Sequence, residues 1–227
     1  MAAQIVAALA TKTWGIRAPA ASAGGRAYHP HVRAGRALVA GGAGRHNDRV
    51  SWIVDAAARD AAAGATPFER AFGLRRNLFE DFRRFYALFW EQRLVDPVVL
   101  ELCRLRIARI HGCEAELRVR YQAALDAGLS EQKIAALPDA ADSPLFSETE
   151  RACIALAELF AIDPHAITDA DAARVVAALG EPGTVALVEA FALFDGFTRF
   201  RLVLGVEEPA APRVVVPAPR STAGPIY

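Results

Sequence analysis

The sequence contains few cysteines, and their number is odd: Cys103, Cys113 and Cys153 in 227 residues. Secreted folds that depend on disulfides carry dense, usually even sets of cysteines, so we expect reduced thiols and a cytoplasmic protein. There is no run of about 18 uninterrupted apolar residues, which predicts that no helix spans a membrane. Acidic and basic residues balance at 26 each, so the composition predicts neither a nucleic-acid nor a membrane partner.

Acidic residues are absent from residues 1–47, where basic residues recur among alanines. Such a segment is typical of an organelle transit peptide or of a flexible leader. Glycine pairs and a Gly41–Gly44 stretch interrupt it, which favours a flexible leader over residues 1–50. A helical domain is predicted over 51–207 and a proline-rich, disordered tail over 208–227. His29 and His31 have no carboxylate or thiol nearby, so no metal site and no cofactor are predicted.

Apolar residues recur at spacings of three and four along most of the chain, which predicts an all-α helical bundle. The run from Phe68 to Trp90 predicts one or two helices with an aromatic face. Further helices are predicted from Asp96-Pro97 to Ile110, from Cys113 to Gly128, from Ser130 to Pro138, from Ser147 to Phe160, from Thr168 to Gly180 and from Gly183 to Leu204. No segment shows the alternation of a strand.

The residues from Glu101 to Arg120 are the candidates for chemistry. Glu101 lies on a strongly apolar helix, where a carboxylate is costly unless it is paired or used. Cys113 follows a helix break at Gly112, and a helix N-terminus favours the thiolate. If one helix begins there, Cys113, Glu116 and Arg120 share a face at i, i+3 and i+7. Two carboxylates, a thiol and a guanidinium would then be plausible acid/base machinery.

Structural explanations compete with each of these assignments. Glu101 could pair with Arg104, Arg106 or Arg109 on its own helix, or with Arg120 across the bundle. Glu116 could pair with Arg120, and Cys113 could be a buried apolar residue. His111 could tune the thiol or act as a base, or it could cap its helix. Arg199 or Arg201 could anchor a substrate carboxylate, or form an ion pair within the bundle.

The spacing Glu-x11-Cys from Glu101 to Cys113, followed by Ala127-Gly128-Leu129-Ser130-Glu131, resembles the carboxymuconolactone decarboxylase / alkylhydroperoxidase D family. The stretch from Ser143 to Ala152 and the Phe197-Thr198-Arg199 of the last helix agree, so the resemblance extends over about 68–207. In the redox-active branch the motif is Cys-x-x-Cys-x-x-x-His with an upstream Glu. Here Glu116 occupies the second Cys position and Arg120 the His position. A dithiol peroxidase cycle therefore lacks its resolving thiol.

The resemblance implies a decarboxylase-like enzyme that acts on a small carboxylated or lactone substrate. Glu101, Cys113 and Glu116 would be its catalytic residues, and Arg120, Arg199 and His111 would contact substrate. The alternatives are a one-cysteine thiol peroxidase, in which an external thiol resolves the Cys113 sulfenate, and a non-catalytic small-molecule binding protein. The family commonly forms trimers or hexamers, so a homo-oligomer is expected, with Phe79–Trp90 as the candidate interface.

Overall fold

The fold was obtained as a computed structural model, which describes residues 67–206 and 213–216. Within these ranges the chain is mostly helical, which confirms the all-α prediction. The α-helices are α1 (Pro67–Gly73), α2 (Arg76–Glu91), α3 (Pro97–His111), α4 (Glu114–Arg118), α5 (Gln122–Asp126), α6 (Glu131–Ala135), α7 (Glu148–Ile162) and α8 (Asp169–Leu204), and the strands are β1 (Val119–Tyr121) and β2 (Val214–Val216). The predicted leader, including His29 and His31, lies outside the described residues.

The helix boundaries follow local capping chemistry, as the sequence predicted. Asp96 accepts a hydrogen bond from the Val98 amide at 2.7 Å and starts α3, with Pro97 in the first helical position. Gly112, at φ 65°, ends the same helix in the left-handed conformation. Ser147 and Thr168 head α7 and α8 with complete capping boxes.

The core is built around α3, which packs against α7 and α8. Leu100, Leu102, Leu105 and Ile107 of α3 are fully buried, as expected of a helix that is apolar on more than one face. The same helix also buries the charged Glu101 and Arg104. A charge pair in the most enclosed helix of a bundle requires partners, and these partners define the site described below.

Helix α8 has a bend at Gly180, where φ is 69° and ψ is 172°. This is the position at which the sequence predicted one helix to stop and another to begin. By length and composition alone, α8 is apolar enough to cross a membrane. It nevertheless packs against both α3 and α7, and core helices of a bundle meet the same compositional criterion.

The prediction of one helix from Cys113 to Gly128 is wrong. Strand β1 interrupts it and pairs in parallel with β2, with Val119 opposite Val214 and Tyr121 opposite Val216. Residues 214–216 lie within the predicted disordered tail, and for these three residues the prediction is wrong. Valine and tyrosine favour strands, but the partner strand is about 95 residues away, so local periodicity could not reveal the pairing.

Part of the aromatic face of α2 is used within the chain. Phe89 and Trp90 are buried, and the ring of Phe82 lies 4.1 Å from that of Phe197 on α8. Phe85 and Leu88 remain about half exposed, at 48% and 47%. Contact between copies of the chain through this face stays a prediction.

Candidate functional site

A cavity of about 90 Å³ lies where α2, α4, β1 and α8 meet. Its apolar wall is aromatic and comes mainly from α2 and α8, with one ring from α1. Its polar side carries two guanidinium groups, one carboxylate and two phenol rings. The lining residues are Phe68, Phe82, Tyr86, Arg104, Glu116, Tyr121, Leu193, Phe194, Phe197 and Arg201.

Arg104 forms the base of the polar side and is 2% exposed. Its Nε and Nη2 donate to the two carboxylate oxygens of Glu101, both at 2.8 Å. Its Nη1 donates to Oε2 of Glu116 at 2.8 Å and to the Glu116 carbonyl at 3.0 Å, and Nη2 also donates to the Val119 carbonyl at 2.8 Å. All five N–H donors of the guanidinium are thus used within the protein, so Arg104 holds the site together and has no donor left for a ligand.

Glu116 lies between two arginines. Oε2 faces Arg104, and Oε1 lies 2.5 Å from Nε of Arg201 on α8. Burial raises the pKa of Glu116, but Arg201 and then Arg104 lower it by more, so the pKa falls below its ordinary value. Glu116 is therefore a carboxylate at neutral pH in this state.

Arg201 is the cation with capacity for a ligand. Its guanidinium carbon lies 4.1 Å from the ring centre of Phe68, which fixes it in a cation–π contact at the cavity wall. Only Nε is engaged with Glu116, so among the described residues the four Nη–H donors have no ion-pair partner. A planar guanidinium with free terminal donors is suited to bind a carboxylate in a bidentate manner.

Two tyrosines supply neutral hydroxyl groups to the cavity. Tyr121 stacks on Trp90 with ring centres 4.1 Å apart, and it lies under the Arg104 guanidinium at 5.2 Å. Burial raises the pKa of Tyr121 to about 12 and that of Tyr86 well above its ordinary value. Both phenols thus stay protonated near pH 7. They hydrogen-bond to each other, which leaves one O–H of the pair to donate to a carbonyl or enolate oxygen.

Glu101 does not reach the cavity. It is fully buried behind Arg104, and both of its oxygens accept hydrogen bonds from that guanidinium. Of the structural explanations weighed from the sequence, pairing with Arg104 is the one observed. Glu101 positions Arg104, which in turn orients Glu116.

Cys113 lies at the N-cap of α4 but is 0% exposed and does not line the cavity. The other two cysteines are also buried and unoxidised. Burial raises the pKa of the Cys103 thiol well above its ordinary value and that of Cys153 to about 12. Neither of these two is suited to act as a thiolate nucleophile.

The expected shared face of Cys113, Glu116 and Arg120 is not formed. Since α4 ends at Arg118 and Arg120 lies in strand β1, Arg120 does not share a helical face with Cys113 and Glu116. Arg120 is buried and donates to Oε1 of Glu131 at 3.1 Å and to the Leu117 carbonyl at 2.7 Å. Its contacts fix the turn around β1, and it is not among the residues that line the cavity.

His111 and Arg199 meet at a common partner outside the cavity. Nε2 of His111 lies 2.5 Å from Oδ1 of Asp195, and Nε of Arg199 donates to Oδ2 of Asp195 at 2.7 Å. Arg199 is thus in the ion pair that the sequence offered as the competing explanation. This cluster links the end of α3 to α8.

Four cavity residues were not assigned a central role from the sequence: Tyr86, Arg104, Tyr121 and Arg201. The sequence alone indicates Arg104 only as a possible partner of Glu101, and Arg201 only as an alternative to Arg199. It places Tyr86 on the aromatic face and Tyr121 on a predicted helix. The available signal was the i, i+3 spacing of Glu101 and Arg104 on an apolar helix, which requires a buried pair.

The fold and site together define an all-α protein with a small aromatic pocket closed at one side by an acid–arginine cluster. Residues 77–159 match the model of the carboxymuconolactone decarboxylase family, which confirms the resemblance seen in the sequence. The chain is also similar to the uncharacterized protein YnjA of Escherichia coli strain K12, with 29% identity over 127 residues that cover 56% of this chain and 69% of YnjA. The family match includes Tyr86, Arg104, Glu116 and Tyr121 but ends before Arg201.

Proposed function

We propose that this protein is a carboxymuconolactone decarboxylase-like enzyme that acts on a small carboxylated or lactone substrate by acid/base chemistry. The observation that supports this most directly is the position of Glu116. Among the described residues that line the cavity, Glu116 is the one that carries a carboxylate. It is held between Arg104 and Arg201 beside two neutral phenols.

In this proposal the roles differ from those expected from the sequence. Arg201 anchors the substrate carboxylate, and Glu116 transfers the proton. The hydrogen-bonded pair of Tyr86 and Tyr121 donates one hydrogen bond to the carbonyl oxygen on which negative charge develops. Glu101 has no contact with substrate and acts only through Arg104.

The one-cysteine peroxidase has less support from the geometry. A peroxide must reach the attacking sulfur, and Cys113 is fully buried outside the cavity lining. A non-catalytic binding protein is the remaining alternative. It is favoured by the observation that Glu116 is already neutralised by two arginines, which lowers its basicity.

Release of CO₂ from carboxymuconolactone and from related carboxylated lactones tests the proposal. Turnover by the wild type is expected, with a loss of about 100-fold or more in Glu116→Gln because the proton-transfer group is removed. Glu114→Gln is the matched control, since Glu114 is the exposed neighbour on the same helix and should leave turnover unchanged. Equal turnover in both variants would contradict the role of Glu116. Tight binding of the acids without turnover would favour the non-catalytic alternative.

A further inference from the structure

We propose that the cavity takes up a small organic monocarboxylate together with one proton: Arg201 exchanges Glu116 for the carboxylate of the ligand, and Glu116 receives the proton. This inference rests on the proposed function, because it concerns the same cavity and explains how an ionised Glu116 becomes a proton donor. It adds the uptake of one proton for each carboxylate bound, which the proposed function does not require.

The argument begins with the charges around the cavity. Among the residues that the structure describes, Glu101 and Glu116 are the anions and Arg104 and Arg201 are the cations. These four groups form one contiguous network that is neutral as a whole. A monoanionic ligand that enters this network brings an uncompensated negative charge into a poorly solvated site. Such a charge is costly unless a proton neutralises it.

The two ion pairs of the network are not equally exchangeable. Arg104 donates two hydrogen bonds of 2.8 Å to Glu101, and its remaining N–H groups donate to Glu116 and to backbone carbonyls. Arg201 holds Glu116 through Nε alone and is 15% exposed in its side chain. A carboxylate that offers two oxygens to the Nη groups of Arg201 therefore competes with a single-donor contact, whereas it cannot compete for Arg104.

Four groups face Glu116 from the elements around it: Arg104 on α3, Arg201 on α8, Tyr86 on α2 and Tyr121 on β1. Arg201 contributes the most to lowering the pKa of Glu116, and burial acts in the opposite direction. When Arg201 turns to a ligand, burial and the negative charge of the ligand both raise that pKa, while Arg104 alone opposes them. The tyrosines are neutral and supply no charge to offset the change.

The proton that Glu116 takes up is the proton that a decarboxylation consumes. In a decarboxylation the bond between carbon and the carboxylate breaks, CO₂ leaves, and the electron pair stays on carbon. That carbon then forms a C–H bond with one proton, so R–COO⁻ + H⁺ gives R–H + CO₂. Uptake of one proton with the substrate supplies the proton that the reaction consumes and needs no other co-reactant.

Isothermal titration of the full chain with benzoate, and with butyrate as a smaller acid, tests the inference in buffers of different ionisation enthalpy. The dependence of the heat on the buffer gives the number of protons taken up, and we expect about one per carboxylate bound near pH 7. The affinity should fall about tenfold per pH unit between the pKa of Glu116 in the free protein and its higher value in the complex. In Glu116→Gln, which mimics the protonated acid, uptake should vanish and the affinity should no longer depend on pH, while Glu114→Gln should behave as wild type.

Each outcome decides one question. Binding of either acid with no proton uptake by the wild type overturns this inference and leaves the proposed function intact. Absence of binding by both acids at about pH 6 overturns the proposed substrate class, and the inference with it. Because the proton count of the wild type is sufficient on its own, the test stands even if Glu116→Gln fails to fold.

Discussion

Replacement of Arg104 by methionine is the change to which the folded state should be most sensitive. The substitution removes the partner of Glu101, which is fully buried with both oxygens bound to Arg104. It also removes the donor that reaches the carbonyl groups of Glu116 and Val119. Leaving one member of a buried ion pair uncompensated costs about 3–5 kcal/mol. For a chain of this size that corresponds to a Tm lower by about 6–20 °C.

Thermal and urea unfolding, followed by helical circular dichroism, measure this cost. Arg106→Met is the matched control, because Arg106 lies two residues further along α3 and pairs with Glu158, which is 34% exposed. Such a partly solvated pair is expected to contribute about 1 kcal/mol or less. A cost for Arg104→Met no greater than that for Arg106→Met would refute the assignment of Arg104 as the centre of the site.

The double variant Glu101→Leu/Arg104→Met separates the buried charge from the lost hydrogen bonds. Removing Glu101 as well should recover part of the stability, because no unpaired carboxylate then stays buried. Recovery should be incomplete, since the carbonyls of Glu116 and Val119 each lose a donor at a cost of about 1–3 kcal/mol. A double variant less stable than Arg104→Met alone would contradict this explanation.

Three further predictions follow from the site. Val215→Pro should weaken the pairing of β2 with β1 and release Tyr121, so the affinity for benzoate should fall although α-helical circular dichroism is unchanged. Because the pKa of Glu116 is lowered in the folded state, its ionised form stabilises the fold at pH values above the ordinary pKa of 4.5. This contribution is lost as the pH falls toward the lowered pKa. Glu116→Gln should thus be less stable than wild type near neutral pH, and the difference in unfolding free energy should narrow on acidification. Cys113→Ser should leave benzoate affinity unchanged, because the thiol is buried away from the cavity. For the same reason, wild-type protein should consume no hydrogen peroxide with dithiothreitol. Rapid peroxide turnover would instead support the one-cysteine peroxidase alternative.

The helices were predictable because their signals are local. Proline after Asp96, the capping boxes at Ser147 and Thr168, and the left-handed Gly112 act over one turn of chain, and each marks a boundary in the structure. The failure came at Val119–Tyr121, where a contact with residues 214–216 overrides the helical pattern. Pairing between such distant segments leaves no trace in local periodicity.

The same distinction applies to the candidate site. Glu116 was identified from its position in a motif, and the structure places it at the cavity. Arg120 was placed beside it on the assumption of a continuous helix, and the strand at 119–121 directs Arg120 to Glu131 instead. Arg201 comes from α8, some 85 residues away, so its pairing with Glu116 depends on how the bundle packs.

Binding of benzoate to wild type and to Arg201→Gln tests the central claim most directly, namely that the cavity between Glu116 and Arg201 binds small carboxylates. Arg199→Gln is the matched control, because Arg199 lies one half-turn away and pairs with Asp195 outside the cavity. Trp90 fluorescence can report binding in a Trp14→Phe/Trp52→Phe background, since Trp90 stacks on the cavity residue Tyr121. We predict saturable binding by wild type and Arg199→Gln, and affinity at least about 10-fold weaker in Arg201→Gln from loss of a charge-assisted pair. Equal affinity in all three proteins would contradict the claim.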